Sequence, residues 1–306
     1  MQTIARGLSS VDLVFLGQPR IIATAVLHSP AGVALVDPGP STCLDTLRAD
    51  LLTHGITLAD VRTVLLTHIH LDHAGVAGTL VRENPEIQVY VHERGAPHMA
   101  DPEKLLTSAT RLYGADMDRL WGEFLAVPES NLHPLGGGET IAVADRQLEV
   151  AYTPGHASHH LSFFDRAARV AFVGDTAGVR IGPDVFVLPP TPPPDIDLDL
   201  WTASIRLIEG WQAETLFLTH FGPYNDPPGH LASLVTHLEG LSQLGRSIVE
   251  RAASDAEREA QFVADARRYL QRHVSDATAA LYDQAAPLTH CWLGLARYWK
   301  KQGVHA

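Results

Sequence analysis

Between positions 68 and 73 the chain reads His68-Ile69-His70-Leu71-Asp72-His73, which puts four imidazole or carboxylate donors into six positions. These are donors that zinc accepts, and they also suit iron or manganese. In an extended segment side chains alternate, so His68 and His70 point to the same side. Asp72 and His73 fall where the chain turns into a helix and can face a second, neighbouring point. One short segment can thus serve two metal ions, and the chemistry expected is that of a metal site. No serine or cysteine nucleophile stands out, because the chain has no Gly-x-Ser-x-Gly elbow. Cys43 and Cys291 are the only cysteines and lie far apart in sequence, so they read as isolated buried thiols.

Such donors need strands to deliver them. Residues 21–27 and 33–36 read as strands, the second stopped by Asp37-Pro38-Gly39-Pro40. Ser41 is expected to cap a helix with Leu44, Leu47, Leu51 and Leu52 on its apolar face, ended by Gly55. Residues 61–66 form a strand that ends at Thr67-His68. A helix is expected from near Asp72 to Asn84-Pro85, followed by a strand over 87–91. The segment from about 93 to 134 has little β character and reads as an inserted helical lid or wall. Strands return at 140–143, 148–152, 161–164 and 170–173. The run Pro189-Pro190-Thr191-Pro192-Pro193-Pro194 must be an extended loop. A strand over 216–218 precedes Thr219-His220. From His230 onward the pattern is helical, with Leu231, Leu234, Leu238 and Leu241 at helical spacing. The expected division is a catalytic domain over 1–229 and a helical C-terminal extension over 230–306. The extension either covers the core or forms a homodimer interface.

The segment 68–73 closely resembles the H-x-H-x-D-H signature of the metallo-β-lactamase-fold superfamily. Three later stretches fit the same resemblance, in order and each at the end of a strand: Thr153-Pro154-Gly155-His156, Val173-Gly174-Asp175-Thr176 and Leu218-Thr219-His220. The resemblance covers about residues 20–225. It implies an α/β fold, an αββα sandwich of two mixed sheets flanked by helices. It implies that His68, His70 and His156 hold one divalent ion, that Asp72, His73 and His220 hold a second, and that Asp175 bridges them. Zinc is the first choice, with iron or manganese as alternatives. Asp72 and Asp175 would then serve catalysis beside a bridging hydroxide. His160 is expected to orient a ligand or polarise the substrate, a role His159 could equally take. Asp37 is expected either to hydrogen-bond a ligating histidine or to shape the turn at Pro38-Gly39. Tyr113, Trp121, Phe186, Phe221 and Tyr224 are candidates for the pocket wall, although Trp121 reads as core.

The superfamily hosts many reactions, so the residues must choose among them. Leu218-Thr219-His220-Phe221-Gly222-Pro223 differs from the Cys-Gly-His-Glu-Tyr run typical of glyoxalase II enzymes. Asp175 is followed by Thr-Ala-Gly-Val-Arg, without the tyrosine of familiar acyl-homoserine lactonases. The 306 residues carry 35 acids against 23 bases, a formal net charge of -12, which makes nucleic acid a poor substrate. No apolar run is long enough to span a membrane, and the first residues lack a signal-peptide pattern, so a cytoplasmic protein is expected. The expected function is hydrolysis of a small carboxylic ester, lactone or thioester, on a small-molecule acyl substrate. The alternatives are an iron-dependent sulfur dioxygenase of the same fold and a non-catalytic metal-binding scaffold.

Overall fold

The computed structural model describes residues 1–182 and 184–305. Two sheets face each other. The first has seven strands in sequence order: β1 (Gln2–Ala5), β2 (Leu8–Asp12), β3 (Ala23–Ser29), β4 (Gly32–Val36), β5 (Val61–Leu65), β6 (Gln88–His92) and β7 (Leu132–Leu135). It is antiparallel from β1 to β4 and parallel from β4 to β7. The second contains β8 (Thr140–Val143), β9 (Arg146–Tyr152), β10 (Leu161–Asp165), β11 (Val170–Phe172), β12 (Thr215–Leu218) and β13 (Gly222–Tyr224), ordered β13-β12-β11-β10-β9-β8. Only β11 and β12 pair in parallel there.

Strand alternation sorts the apolar residues into three layers. Ala25 and Leu27 of β3, Ala34 and Val36 of β4, and Phe163, Phe172 and Phe217 of the second sheet fill the space between the sheets. Their neighbours Val26, Val33 and Leu35 point outward, against helices on the first sheet's far face. Phe164, Ala171, Leu216 and Leu218 do the same on the second sheet. A period of two in both sheets thus gives each one a buried inner face and a helix-covered outer face. This is the expected αββα arrangement.

The helices are α1 (Leu44–Thr53), α2 (Leu71–Ala74), α3 (Ala77–Glu83), α4 (Ala96–Ala100), α5 (Glu103–Tyr113), α6 (Met117–Leu120), α7 (Leu198–Gly210), α8 (Pro227–Val249), α9 (Asp255–Gln271), α10 (Asp276–Ala285) and α11 (Leu288–Lys301). Several sequence expectations are corrected here. The segment 93–134 is helical only as far as Leu120, and its end is strand β7, which pairs with β6. Pro134 escaped notice as a strand residue because β7 is the edge of its sheet, where a missing N–H costs little. The helix expected from Asp72 to Asn84 is two helices, α2 and α3, separated at Gly75 and Val76. Ser41 caps nothing: a short 3₁₀ turn over Ser41–Cys43 precedes α1, and the Ser41 hydroxyl donates to the Glu123 carbonyl instead. Leu52 is 65% exposed and lies off the apolar face of α1. The N-terminal hairpin β1–β2 and helix α7 were not anticipated.

Leu231, Leu234 and Leu238 of α8 pack under the second sheet together with Trp201 and Ile205 of α7. Leu241, Phe262, Tyr282 and Trp292 of α8 to α11 join the same apolar cluster as the outer face of the first sheet. The chain's own core therefore covers these apolar residues of the C-terminal helices, while Leu293 of α11 stays exposed. No helix of the described residues is long and apolar enough to cross a membrane.

Candidate metal centre and active site

The donors come from strand C-termini, the loops that leave them and the short helix α2. β5 delivers His68, and His70, Asp72 and His73 follow into α2. β9 leads to His156, β11 to Asp175 and β12 to His220. Two glycines make the approach tight enough. Gly155 has φ +132°, and a side chain there would lie 2.3 Å from Trp201 of α7. Gly174 has φ +43°, and a side chain there would lie 2.5 Å from the Thr67 hydroxyl. Both positions need a residue without Cβ.

The donors fall into the expected groups. His68 Nε2 lies 2.9 Å from His70 Nδ1, which lies 3.1 Å from His156 Nε2. His220 Nε2 lies 3.2 Å from Asp72 Oδ2, and His73 Nε2 lies 3.8 Å from the same oxygen. Asp175 stands between the groups. Its Oδ2 is 3.4 Å from His156 Nε2, and its Oδ1 is 3.3 Å from His73 Nε2 and 3.6 Å from His220 Nε2. Donors about 2 Å from a tetrahedral cation sit roughly 3.3 Å apart, so these spacings fit cation sites. His68, His70 and His156 can hold one ion, and Asp72, His73 and His220 another; His68, His73 and Asp175 also lie close enough to share one. Two atoms argue independently for a cation. His73 Nε2 and Asp175 Oδ1 are buried and have no hydrogen-bond partner. Burying such groups unpaired is costly, and a metal ion satisfies both.

An outer ring of acceptors aims the imidazoles. His73 Nδ1 donates to Asp37 Oδ2 at 2.8 Å, His156 Nδ1 to the Pro190 carbonyl at 2.8 Å, and His220 Nδ1 to the Ile21 carbonyl at 2.7 Å. The Thr67 hydroxyl spends its proton on Asp37 and so accepts from His68 Nδ1 at 3.1 Å. In each case Nε2 is left with its lone pair toward the centre, the tautomer that metal binding requires. Asp37 is the hub. Fully buried, it also accepts from the Thr67 amide at 2.8 Å and the Thr219 hydroxyl at 2.7 Å. Of its two expected roles, the structure supports the ligand-orienting one.

The electrostatics agree with the donor chemistry. Burial pushes the pKa of His68 well down and that of His70 to about 4, and like-charge neighbours push the same way; both rings stay neutral. Burial opposes the charge on Asp72, but His73 and His220 outweigh it and hold the carboxyl at about 2. Burial opposes the charge on Asp175 too, and His73, His220 and His156 overcome it, leaving the carboxyl well below its ordinary range. Conversely, burial disfavours protonation of His73 and His220, yet Asp175 and Asp72 raise both above the usual histidine value. The ionised carboxylates demand positive charge at those nitrogens, and a divalent cation supplies it in place of protons.

His160 is not where a substrate could meet it. It is fully buried behind His68, donates Nδ1 to the Thr153 hydroxyl at 3.0 Å, and receives the Thr176 amide at Nε2 at 3.4 Å. Its place at the start of β10, where its carbonyl accepts from the Thr153 amide, turns the ring into the interior. His159 turns the other way, is half-buried and lines a cavity. The surrounding protein pushes its pKa to about 3, so it presents a neutral ring. Of the pair, His159 is the one a substrate could touch.

Two cavities meet at the centre. One of about 610 Å³ opens beside His70 and His159, under α5, the Pro192-Pro193-Pro194 loop and α11. The other, about 420 Å³, opens beside Asp72 and is walled by Phe15, Leu120 and Trp121. Leu112 and Tyr113 at the end of α5 line both. Trp121 is thus both buried and a wall residue, whereas Phe186, Phe221 and Tyr224 line neither cavity. Sequence reasoning found Tyr113 but missed Thr67, Thr219 and the other wall residues of α5 and α11. The two threonines carried a signal, since each immediately precedes a donor histidine.

A two-sheet sandwich with a histidine–aspartate cluster at its strand ends defines a class of metallo-hydrolases. The chain matches the family model of the metallo-beta-lactamase superfamily over residues 17–220 and belongs to that superfamily. It is 26% identical over 206 residues to a metallo-beta-lactamase fold-containing protein of Sulfurisphaera tokodaii, covering 66% of this chain and 73% of that one. It is 28% identical over 143 residues to a hydroxyacylglutathione hydrolase of Legionella pneumophila, covering 46% of this chain and only 41% of that enzyme. The crystal structure of a metallo-beta-lactamase family protein from Thermus thermophilus shares the fold. Its TM-score is 0.68 at 23% identity, over 98% of this chain and 95% of that one.

Proposed function

We propose that this protein is a hydrolase that uses two divalent metal ions, zinc by preference, to cleave a small carboxylic ester, lactone or thioester. The observation that carries the reading is Asp175, whose two carboxylate oxygens face two different donor groups. His68, His70 and His156 would hold one ion, Asp72, His73 and His220 the other, and Asp175 both. When bound, such a pair supplies Lewis acidity and an activated water. The chain's own residues do the rest. Asp72 is the donor carboxylate that reaches the smaller cavity, 19% exposed and ionised, so it can accept a hydrogen bond from an incoming water. His159 presents a neutral ring to the larger cavity, where it can contact the reacting carbonyl or the leaving group. Leu112 and Tyr113 narrow the space between the cavities and would hold the scissile bond over the centre, the positioning that most favours attack. The hydroxyacylglutathione hydrolase relative supports cleavage of an acyl bond.

The test is metal analysis followed by turnover. Protein reconstituted with zinc or manganese should contain two ions per chain and hydrolyse members of a panel of lactones, aryl esters and acyl thioesters. Failure on the whole panel with cleavage of a phosphodiester would overturn the proposal. So would a single iron with oxygen consumption on a thiol substrate.

A further inference from the structure

The larger cavity has a charge opposite to that of the protein. Arg94, Lys104, Arg111 and Arg297 line it, against the single carboxylate of Asp195. The whole chain carries a net charge of -12. The four cations come from separate places: Arg94 follows β6, Lys104 and Arg111 lie on α5, and Arg297 lies on α11. Among the described residues, none of them ion-pairs with an acid, although other arginines such as Arg48, Arg146 and Arg166 do. Asp195 is already engaged, accepting from the Ser158 hydroxyl. The smaller cavity has the reverse balance. Asp72, Asp116 and Asp283 line it with one arginine, Arg119; Arg119 is bound to Asp116 at 2.9 Å, and Asp283 to Arg267 at 2.8 Å.

We infer that the larger cavity receives an anionic half of the substrate, carrying phosphate or carboxylate groups, while the uncharged acyl half enters the smaller one. This rests on the hydrolase reading above and adds the substrate's polarity and orientation to it. Four cations at the mouth of a partly enclosed cavity attract an anion that the rest of the surface repels. The smaller cavity's one arginine is already paired with Asp116, so that cavity offers no free cation for the reverse orientation. The aromatic and aliphatic wall there, with Phe15 and Trp121 stacked at 5.6 Å, suits an apolar acyl group.

Binding is read without turnover, by calorimetry with S-methyl-coenzyme A, S-methylglutathione and neutral S-methyl-N-acetylcysteamine. The first offers phosphates and the second carboxylates, so the stronger of the two identifies the anion. At least one should bind tenfold or more tightly than the neutral compound, and 0.5 M sodium chloride should erode that margin. Because Lys104 and Arg297 are exposed, the double variant Lys104→Glu/Arg297→Glu should fold, and it should lower the anion's affinity at least tenfold. Arg206→Glu, an exposed change on α7 outside both cavities, makes the same change of charge per site and should leave the affinity as it was. The matching acetyl thioesters then report kcat/KM, and the anionic-to-neutral ratio should fall in the double variant. Equal binding of charged and neutral compounds, or a margin that survives the double variant, overturns the inference; turnover of the neutral thioester in that case leaves the hydrolase reading standing. Anion binding without hydrolysis of any acyl substrate by metal-loaded protein overturns the hydrolase reading instead.

Discussion

The metal-binding floor and the walls of the cavities above it are built in opposite ways. Every floor donor except His70 and Asp72 is buried, and Asp37, Thr67, Thr219 and two backbone carbonyls fix the orientation of the rings. The walls come from short helices, a proline loop and the face of α11, and the four cations of the larger cavity are exposed and without an ion pair among the described residues. A floor determined by many simultaneous hydrogen bonds has one geometry, which is what a metal centre needs. A wall of loosely tied side chains can change with little loss of stability, which is how one fold comes to serve many substrates. Under the proposed function, the floor would carry the reaction and the walls the choice of substrate.

That contrast can be broken most directly at Asp175. Asp175→Ala should lower kcat/KM by about 10³-fold or more and reduce bound metal, with an unchanged circular dichroism spectrum. Full activity with a full metal complement would show that the floor does not work as a unit. Asp37→Ala touches no donor atom of the centre, yet it strips four groups on three residues of their acceptor. Metal affinity, measured by competition with a chromophoric chelator, should fall about 10–100-fold.

The histidine pair sharpens the boundary between floor and wall. His159→Ala should lower kcat/KM about tenfold with little change in melting temperature. His160→Ala should lower the melting temperature instead, because it empties a buried position. Equal effects on both readouts would erase the distinction drawn between them.

The floor should also be the more acid-sensitive region. His230 of α8 donates Nε2 to the Ala177 carbonyl at 2.8 Å, in the turn that carries Asp175. Burial is the main cause that lowers its pKa to about 4. The neutral form is the one that fits the fold, so its contribution is complete above the unfolded value near 6.5. That contribution is lost as pH falls toward 4, on the order of 3 kcal/mol. In His230→Gln the decline of stability between those pH values should be shallower, as read by denaturant titration; an identical slope would contradict the assignment. The smallest effect belongs to the wall. Leu112→Ala should raise KM about 3–10-fold while kcat and metal content stay put.

Much of this was legible in the sequence, for a physical reason. A metal centre at strand ends needs its donors beside apolar runs, so the cluster His68 to His73 stands out locally, and the resemblance to the superfamily then adds His156, Asp175 and His220. The two sheets were legible because strand alternation is local as well. The helix α7 and strand β7 were not, because their roles depend on what they pack against. Nor were the cations of the wall: Arg94, Lys104, Arg111 and Arg297 span 204 positions and share no motif.

The limit is clearest in one short repeat. Leu-Thr-His occurs four times, at 52–54, 66–68, 218–220 and 288–290. At 66–68 and 218–220 it ends a buried strand, the histidine faces the centre and the threonine hydroxyl donates to Asp37. At 52–54 it ends α1 in solvent, and at 288–290 it opens α11, with His290 at the edge of the smaller cavity. The sequence by itself determined which residue types can bind a metal and that strands would deliver them. Only the tertiary structure shows what sets two of the four identical triplets apart, because a donor acquires its role from groups far away in the chain that bury it, orient it and stand opposite it.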